Sequence, residues 1–249
     1  MRKRAIATVS LAGAVIAAIF AGASLLGNYA NTTDNLHWTG KPLPPCFVNA
    51  TTCGGHILGT DAVGRDVLAR LIVGARTSLG MSLVGTVCEL TMLGLLILAT
   101  RRGNSAIRFA IGRFTDAISC FTAWPVTIVA ASISFGEGSL ARLGTIGLLA
   151  GVLMGARAVG FGIETSLTPR LVSRVVRDWS TILLMLATVD FFGFGVAPPM
   201  LSWGNMLADL QANLQLAWWA AVFPAACLFI AALLIQLGGR ATLSDLNCW

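Results

Sequence analysis

The chain has 249 residues, of which 56% are hydrophobic and only 11% are charged. Soluble proteins carry about 25% charged residues on average, so this composition excludes a soluble domain with a polar surface and indicates an integral membrane protein. The formal net charge of +6 does not indicate a nucleic-acid partner, because excess Lys and Arg in membrane proteins mark the cytoplasmic loops.

The first predicted membrane segment spans residues 5–26 and follows a basic start. It is longer than the apolar core of a signal peptide, which has about 7–15 residues, so we expect a retained transmembrane helix. A polar loop follows at residues 27–55 and contains Cys46 and Cys53. If this loop lies outside the cytoplasm, the two cysteines either pair in a disulfide or remain free thiols.

A polar motif then interrupts the apolar chain, with the form H-x-L-G-T-D-x-x-G-R-D over residues 56–66. Its glycines allow backbone angles that other residues resist, either Asp61 or Asp66 can cap a helix, and Arg65 offers a donor fork for a carboxylate. The pattern predicts a tight turn that enters a helix. The candidate residues of this motif are Gly59, Thr60, Asp61, Gly64, Arg65 and Asp66.

An amphipathic lead-in helix is predicted at residues 68–78, before five further apolar segments. These segments span residues 79–99, 114–135, 143–163, 180–196 and 214–237. Pro198 and Pro199 end the fifth membrane segment, and the polar string at 202–206 is either a re-entrant segment or a loop. The sequence thus predicts an all-α, polytopic membrane protein with about six transmembrane helices.

The distribution of positive charge gives the predicted topology. With the N-terminus inside, only five of the 17 Lys and Arg residues fall in outer segments, namely Lys41, Arg65, Arg70, Arg76 and Arg142. The others fall in cytoplasmic segments, which is the bias expected for this orientation. We therefore expect both termini in the cytoplasm and the 56–66 motif outside.

Two acidic residues lie inside predicted membrane segments, Glu89 in the second and Asp190 in the fifth. An ionisable group in the bilayer is costly and often functional. Each residue either lines a transport pathway or forms a hydrogen bond to a neighbouring helix, and the sequence leaves both interpretations open.

The sequence does not indicate an enzyme. It contains no G-x-x-x-x-G-K-[ST] string, so the chain cannot hydrolyse ATP by itself. Its two histidines, His37 and His56, both lie in the outer loop, and no cysteine pattern typical of a zinc site occurs. We expect no metal and no cofactor in this chain.

Three stretches resemble the permease subunits of bacterial dipeptide, oligopeptide and nickel ABC importers. The first is the 56–66 motif, continuing into G-A-R-T-S-L at 74–79, and the second is R-F-T-D at 113–116 with Pro125. The third, at 192–207, resembles the family pattern F-L-G-x-G-x-x-P-P-x-x-S-W-G-x-M-L. Its candidate residues, which the resemblance places in a periplasmic re-entry motif, are Pro198, Pro199, Ser202, Trp203, Gly204 and Asn205.

The resemblance implies a role as half of a transport pathway for peptides or a similar small solute across the bacterial inner membrane. A second homologous permease would supply the other half, two ATPase subunits would bind ATP and Mg, and a periplasmic binding protein would deliver the substrate. It also implies that residues 1–27 form the first transmembrane helix, 28–78 a periplasmic loop and lead-in helix, 79–239 the permease domain, and 240–249 a cytoplasmic tail.

One region departs from the family pattern. Such permeases carry an E-A-A-x-x-x-G loop that docks on the ATPase, whereas this chain has a shorter loop between its fourth and fifth segments. The candidate coupling residues are Glu164, Arg170, Arg174 and Arg177, and the three arginines share one face of a predicted short helix. The shortened loop keeps two alternatives open: an ion-coupled carrier or channel that uses Glu89 and Asp190, or a degenerate, non-transporting permease or assembly subunit.

Overall fold

In a computed structural model, the described residues are 22, 25–26, 29–32, 41–49, 54–120, 154, 169–196, 199–209 and 215–246. Over these residues the fold is helical, in agreement with the all-α prediction, and the β-pairing found there is an isolated bridge between Thr60 and Asp66. A 3₁₀ turn, Tyr29–Asn31, precedes five α-helices. They are α1 (Val67–Arg102), α2 (Ser105–Cys120), α3 (Pro169–Phe191), α4 (Trp203–Asp209) and α5 (Trp219–Leu246).

Among the described residues, α1 and the Trp219–Gly238 part of α5 are long and apolar enough to cross a membrane. The 36 residues of α1 correspond to about 54 Å at a rise of about 1.5 Å per residue, so α1 exceeds the hydrocarbon thickness of about 30 Å. Both helices expose large apolar side chains, for example Leu95 and Phe229. Such surfaces suit contact with lipid, as the composition predicts.

The lead-in helix, predicted to lead into the second membrane segment, forms one continuous helix with it, α1, because neither Pro nor polar turn residues separate them. The predicted boundary between the arginine-bearing segment and the fifth membrane segment is wrong, because both belong to one helix, α3, which begins at Pro169, a residue well suited to a first helical position. The string at 202–206 forms the start of the short helix α4, and its re-entry into the membrane stays a prediction.

Other predictions fall on residues outside the described ranges. These include the first and fourth membrane segments, most of the third beyond Cys120, and the residues Cys53, Glu164 and Pro198. The sixth segment is described as α5, which begins at Trp219 rather than at residue 214 and continues through Gly238.

The chain forms two compact units, which we describe separately. The first consists of Met1–Gly80 with Asp190–Ala231, and the second of Met81–Val189 with Ala232–Trp249. In the first unit, Trp203, Met206 and Trp219 are buried near the 56–66 motif, and in the second unit the core includes Ile182 and Met185 of α3.

Candidate functional site

The 56–66 motif folds around the carboxylate of Asp61. Its Oδ1 accepts hydrogen bonds from the backbone N–H groups of Val63 and Arg65, both at 2.9 Å. The backbone closes the same turn, since Gly64 N donates to Asp61 O and Asp61 N donates to Arg65 O. Gly64 has a φ of 84°, which favours glycine. This turn is therefore specified locally by its own residues.

Glycine is required at position 59 both because of its positive φ angle and because neighbouring atoms leave no room for a Cβ. Its φ is 77°, and a Cβ placed there would lie 2.6 Å from Leu43 O and 2.9 Å from Trp219 Nε1. The close approach of Trp219 allows its Nε1 to donate a hydrogen bond to the carbonyl oxygen of the next residue, Thr60, at 2.9 Å. Leu43 N also donates to Thr60 Oγ1, at 2.8 Å. The motif thus joins the preceding loop to the start of α5.

Asp66 caps α1. Its Oδ2 accepts a hydrogen bond from Ala69 N at 2.8 Å, which satisfies one of the otherwise unpaired N–H groups at a helix start. Its Oδ1 lies 2.9 Å from Nδ1 of His56, whose side chain is buried. Of the two aspartates that the sequence offered as caps, Asp66 has this role and Asp61 organises the turn.

Four charged side chains, which we call the charge cluster, connect the motif to α1 and α4. They are Asp61, Arg65, Arg70 and Asp209. Arg65 Nε lies 2.7 Å from Asp61 Oδ2, and Arg70 bridges Asp61 at 3.2 Å and Asp209 at 2.9 Å. Two positive and two negative charges balance, which is how a nearly buried arginine is tolerated. A cavity of about 160 Å³ lies beside the cluster and is also lined by Met206.

The S-W-G-N string forms the start of α4 and packs on α1. Ser202 Oγ accepts from Asn205 N at 3.1 Å and so caps α4. The backbone N–H of Trp203 donates to Ser78 Oγ, and its indole Nε1 donates to Leu71 O, both at 3.0 Å. Gly74 leaves room for the indole, since a Cβ there would lie 3.3 Å from the Trp203 ring. Two of the three family-like stretches therefore contact each other directly.

Asp190 is buried at the end of α3 and holds the loop that follows. Its Oδ1 accepts a hydrogen bond from Val196 N at 3.0 Å. Gly193, at a φ of 81°, turns the chain there, and any side chain at Gly195 would collide with the carboxylate. These contacts favour the interpretation that Asp190 forms hydrogen bonds within the protein.

The remaining parts of the string continue this arrangement. Asn205 Nδ2 donates to Val196 O at 3.0 Å, and Gly204 is buried within α4. Pro199 O accepts from Asn31 Nδ2 at 3.0 Å. The described residues of the string thus serve the packing of this unit.

In the second unit, Glu89 is buried in α1, and one of its side-chain oxygens has no hydrogen-bond partner among the described residues. Its charged neighbours are Asp178 and Arg174. Arg174 Nε also lies 3.5 Å from Asp178 Oδ2. The sequence identified Glu89 and Arg174 separately, and the structure brings them together.

Comparison with known proteins identifies the family. The chain is 30% identical to the dipeptide transport system permease protein DppC of Escherichia coli K12, over 74% of this chain and 70% of that protein. It is 32% identical to a peptide permease protein of Brucella suis biovar 1, over 77% of this chain and 72% of that protein. The chain belongs to the family of peptide ABC-transporter permeases.

A third relative is SapC, a peptide transport system permease protein of Escherichia coli O6:H1, which is 29% identical over 73% of this permease and 70% of its own length. No family model matches the chain. The resemblance read from the three motifs is thereby confirmed. These relatives are permease components, not ATPases, which agrees with the prediction that the chain is not an enzyme.

The structure describes the predicted coupling residues of the permease only in part. Arg174 is engaged with Asp178, whereas Arg177 is exposed on α3. The side chain of Arg170 and the whole of Glu164 lie outside the described residues. A role for these residues in coupling stays a prediction.

Cys46 of the permease is disulfide-bonded. Its predicted partner, Cys53, lies outside the described residues, so their pairing stays a prediction.

Sequence reasoning missed Arg70 and Asp209, which complete the charge cluster. The signal for Arg70 was its position in an otherwise apolar stretch near the start of a membrane helix, whereas Asp209 carried no comparable signal.

Proposed function

We propose that this permease is one of two transmembrane subunits of an ATP-driven importer, and that it forms half of the pathway for peptides or a similar small solute across the bacterial inner membrane. The observation that carries this proposal is the match to peptide permeases at 30–32% identity over about three quarters of the chain.

The structure supports the proposal because two of the family-like stretches meet in one unit. The 56–66 motif caps α1 and accepts a hydrogen bond from Trp219 at the start of α5, and the S-W-G-N string packs on α1 through Trp203. The two helices that these motifs organise, α1 and α5, are the ones within the described ranges that are long and apolar enough to span a membrane. The motifs therefore set the ends of candidate membrane spans.

The proposed importer needs partners that this chain does not supply. A second homologous permease would complete the pathway, two ATPase subunits would bind ATP and Mg, and a periplasmic protein would bind the solute. We propose that the ATPases contact the basic start of α3, where Arg177 is exposed and Arg170 precedes it. With positive charge inside, this end of α3 faces the cytoplasm.

Co-purification tests the proposal. The permease is expressed with the products of its adjacent genes, extracted in mild detergent and isolated through an affinity tag on this chain. We expect a complex that contains a second permease and two ATPases and that hydrolyses ATP. Changing Arg170, Arg174 and Arg177 together to Glu should release or uncouple the ATPases, whereas Arg113→Glu, an exposed arginine on α2, should not. If no ATPase is retained by the wild-type chain, the proposal is wrong.

One observation favours a second candidate, an ion-coupled carrier. Glu89 is a buried acid in a membrane-length helix, the usual location of an ion-coupling residue. Solute uptake by the purified permease alone, driven by a proton or sodium gradient without ATP, would establish this candidate. A chain that neither transports alone nor retains an ATPase would instead be a degenerate subunit.

A further inference from the structure

The turn at residues 45–49 carries large apolar side chains on the surface of the first unit. Phe47 and Val48 are 66% and 55% exposed, and Ile57 of the neighbouring motif is 61% exposed. Cys46 N donates a hydrogen bond to Ile57 O at 3.2 Å, which brings residue 57 beside the turn. Single exposed apolar residues are common, but a group of them marks an interaction surface. We call Phe47, Val48 and Ile57 the apolar tip.

Backbone hydrogen bonds and a disulfide fix the apolar tip in place. Val48 N donates to Pro45 O at 2.9 Å and closes the turn, and Thr60 N donates to Leu43 O at 3.0 Å just before it. Cys46, within the turn, is disulfide-bonded. The exposure of the apolar tip is therefore a property of the folded backbone, since turning these side chains inward would require the turn to open.

The apolar tip contacts α5 one turn inside the candidate membrane span. The ring of Phe47 meets the ring of Phe223 edge-on, with 6.2 Å between the ring centroids. Phe223 lies four residues after Trp219, the first residue of α5, which corresponds to about 6 Å along a helix that rises about 1.5 Å per residue. Trp218 and Trp219 stand together at this end of the span, and tryptophans gather at the boundary between membrane and water. Phe47 therefore lies on the hydrocarbon side of that boundary.

The surroundings of this contact suit lipid better than a protein partner. Val222, next to Phe223, is 48% exposed, and Phe229 is 68% exposed further along the same membrane-length helix. The apolar tip extends this apolar surface beyond the helix. The sequence from 42 to 60 contains no Asp, Glu, Lys or Arg, so the segment offers no charge for the polar rim that a protein interface usually has.

We propose that the apolar tip is a membrane anchor, which inserts Phe47, Val48 and Ile57 into the lipid leaflet on the side where α5 begins. Its ligand is the boundary between headgroups and acyl chains, which accepts aromatic and aliphatic side chains. The anchor holds the 56–66 motif at a fixed depth, because backbone hydrogen bonds from Cys46 and Thr60 join the two segments. This inference goes beyond the proposed function and needs only that α5 crosses the bilayer.

Photo-crosslinking in cell membranes tests the anchor. The full chain is expressed with the products of its adjacent genes, carrying p-benzoylphenylalanine at one position, and is irradiated, purified and weighed by mass spectrometry. At Phe47 we expect phospholipid adducts with a yield within about twofold of that at Phe229 on the exposed face of α5. Lys41, an exposed residue just before the turn, is the matched control, and its lipid yield should be at least about tenfold lower because a lysine marks a water-facing position.

Two results overturn the inference. An adduct between position 47 and another protein chain would identify a protein interface, and a lipid yield at Phe47 no higher than at Lys41 would place the apolar tip in water. If the Phe47 variant is not recovered in the membrane, the same substitution at Val48 replaces it, with the same expected yield and the same two contrary results. Transport is not measured, so a failure of the proposed function leaves this test intact.

Discussion

Arg70 Nη2 and Asp209 Oδ2 form an ion pair of 2.9 Å although 139 residues separate them in the sequence. Arg70 is 2% exposed, so this pair and its contact with Asp61 compensate a charge that water barely reaches. The pair joins the first turns of α1 to the last residue of α4. It therefore connects the two family-like motifs of the first unit through residues that belong to neither motif.

Replacing Arg70 should weaken the fold more than replacing its partner. Arg70→Met leaves Asp61 and Asp209 with Arg65 as their remaining cation, at 2.7 Å and 3.9 Å, and should lower the free energy of unfolding by about 3 kcal/mol. Asp209→Asn should cost only about 1 kcal/mol, because Asp209 is half exposed and its interaction is screened. Unfolding in mixed detergent micelles measures both values, with Arg102→Gln, an exposed arginine on α1, as the control. Equal losses for all three variants would contradict the charge cluster's role.

Two glycines with similar backbone angles should respond differently to alanine. Gly59 and Gly55 have φ values of 77° and 86°, but a Cβ at Gly59 meets Leu43 O and Trp219, whereas a Cβ at Gly55 meets nothing within 4 Å. Gly55→Ala should cost about 1 kcal/mol through backbone strain alone. Gly59→Ala should cost about 3 kcal/mol or more, because the clash adds to the strain. The difference in unfolding midpoint between the two variants reports the close approach, and no difference would exclude it.

The indole hydrogen bond of Trp203 can be tested by removing only its donor. Trp203→Phe keeps an aromatic ring but leaves Leu71 O without the bond of 3.0 Å, and we expect a loss of about 1–2 kcal/mol in the free energy of unfolding. Trp218→Phe, at a half-exposed tryptophan, should change it by less than about 0.5 kcal/mol. If the two substitutions are equivalent, the packing of α4 on α1 does not depend on this bond.

Two substitutions at Asp190 distinguish a structural role of its side chain from a role in the transport pathway. Asp190→Asn retains an oxygen that can accept from Val196 N, so we expect the variant to fold and to keep most of its uptake. Asp190→Ala removes that acceptor and should destabilise the loop before α4, with a loss of about 1–3 kcal/mol. Uptake assays and thermal unfolding on both variants give the answer. Complete loss of uptake in a stably folded Asp190→Asn variant would show that transport needs the charge itself.

The local features of the site followed from the sequence, and the long-range ones did not. Gly64, Asp61 and Asp66 act within a few residues of themselves, so spacing alone indicated a tight turn and a helix cap. The bonds of Arg70 to Asp209 and of Trp203 to Leu71 join residues more than a hundred positions apart, and only the packed chain brings them together. The predicted boundary within α3 failed for a related reason, since a polar stretch was interpreted as a break where the helix continues without one.

The most direct test of the central claim is uptake of a radiolabelled dipeptide into proteoliposomes that contain the permease, its partner permease, its two ATPases and its binding protein. The account predicts uptake that requires ATP and the binding protein, and that persists when ionophores collapse every ion gradient. Uptake that continues without ATP and stops on addition of an ionophore would contradict it and identify an ion-coupled carrier.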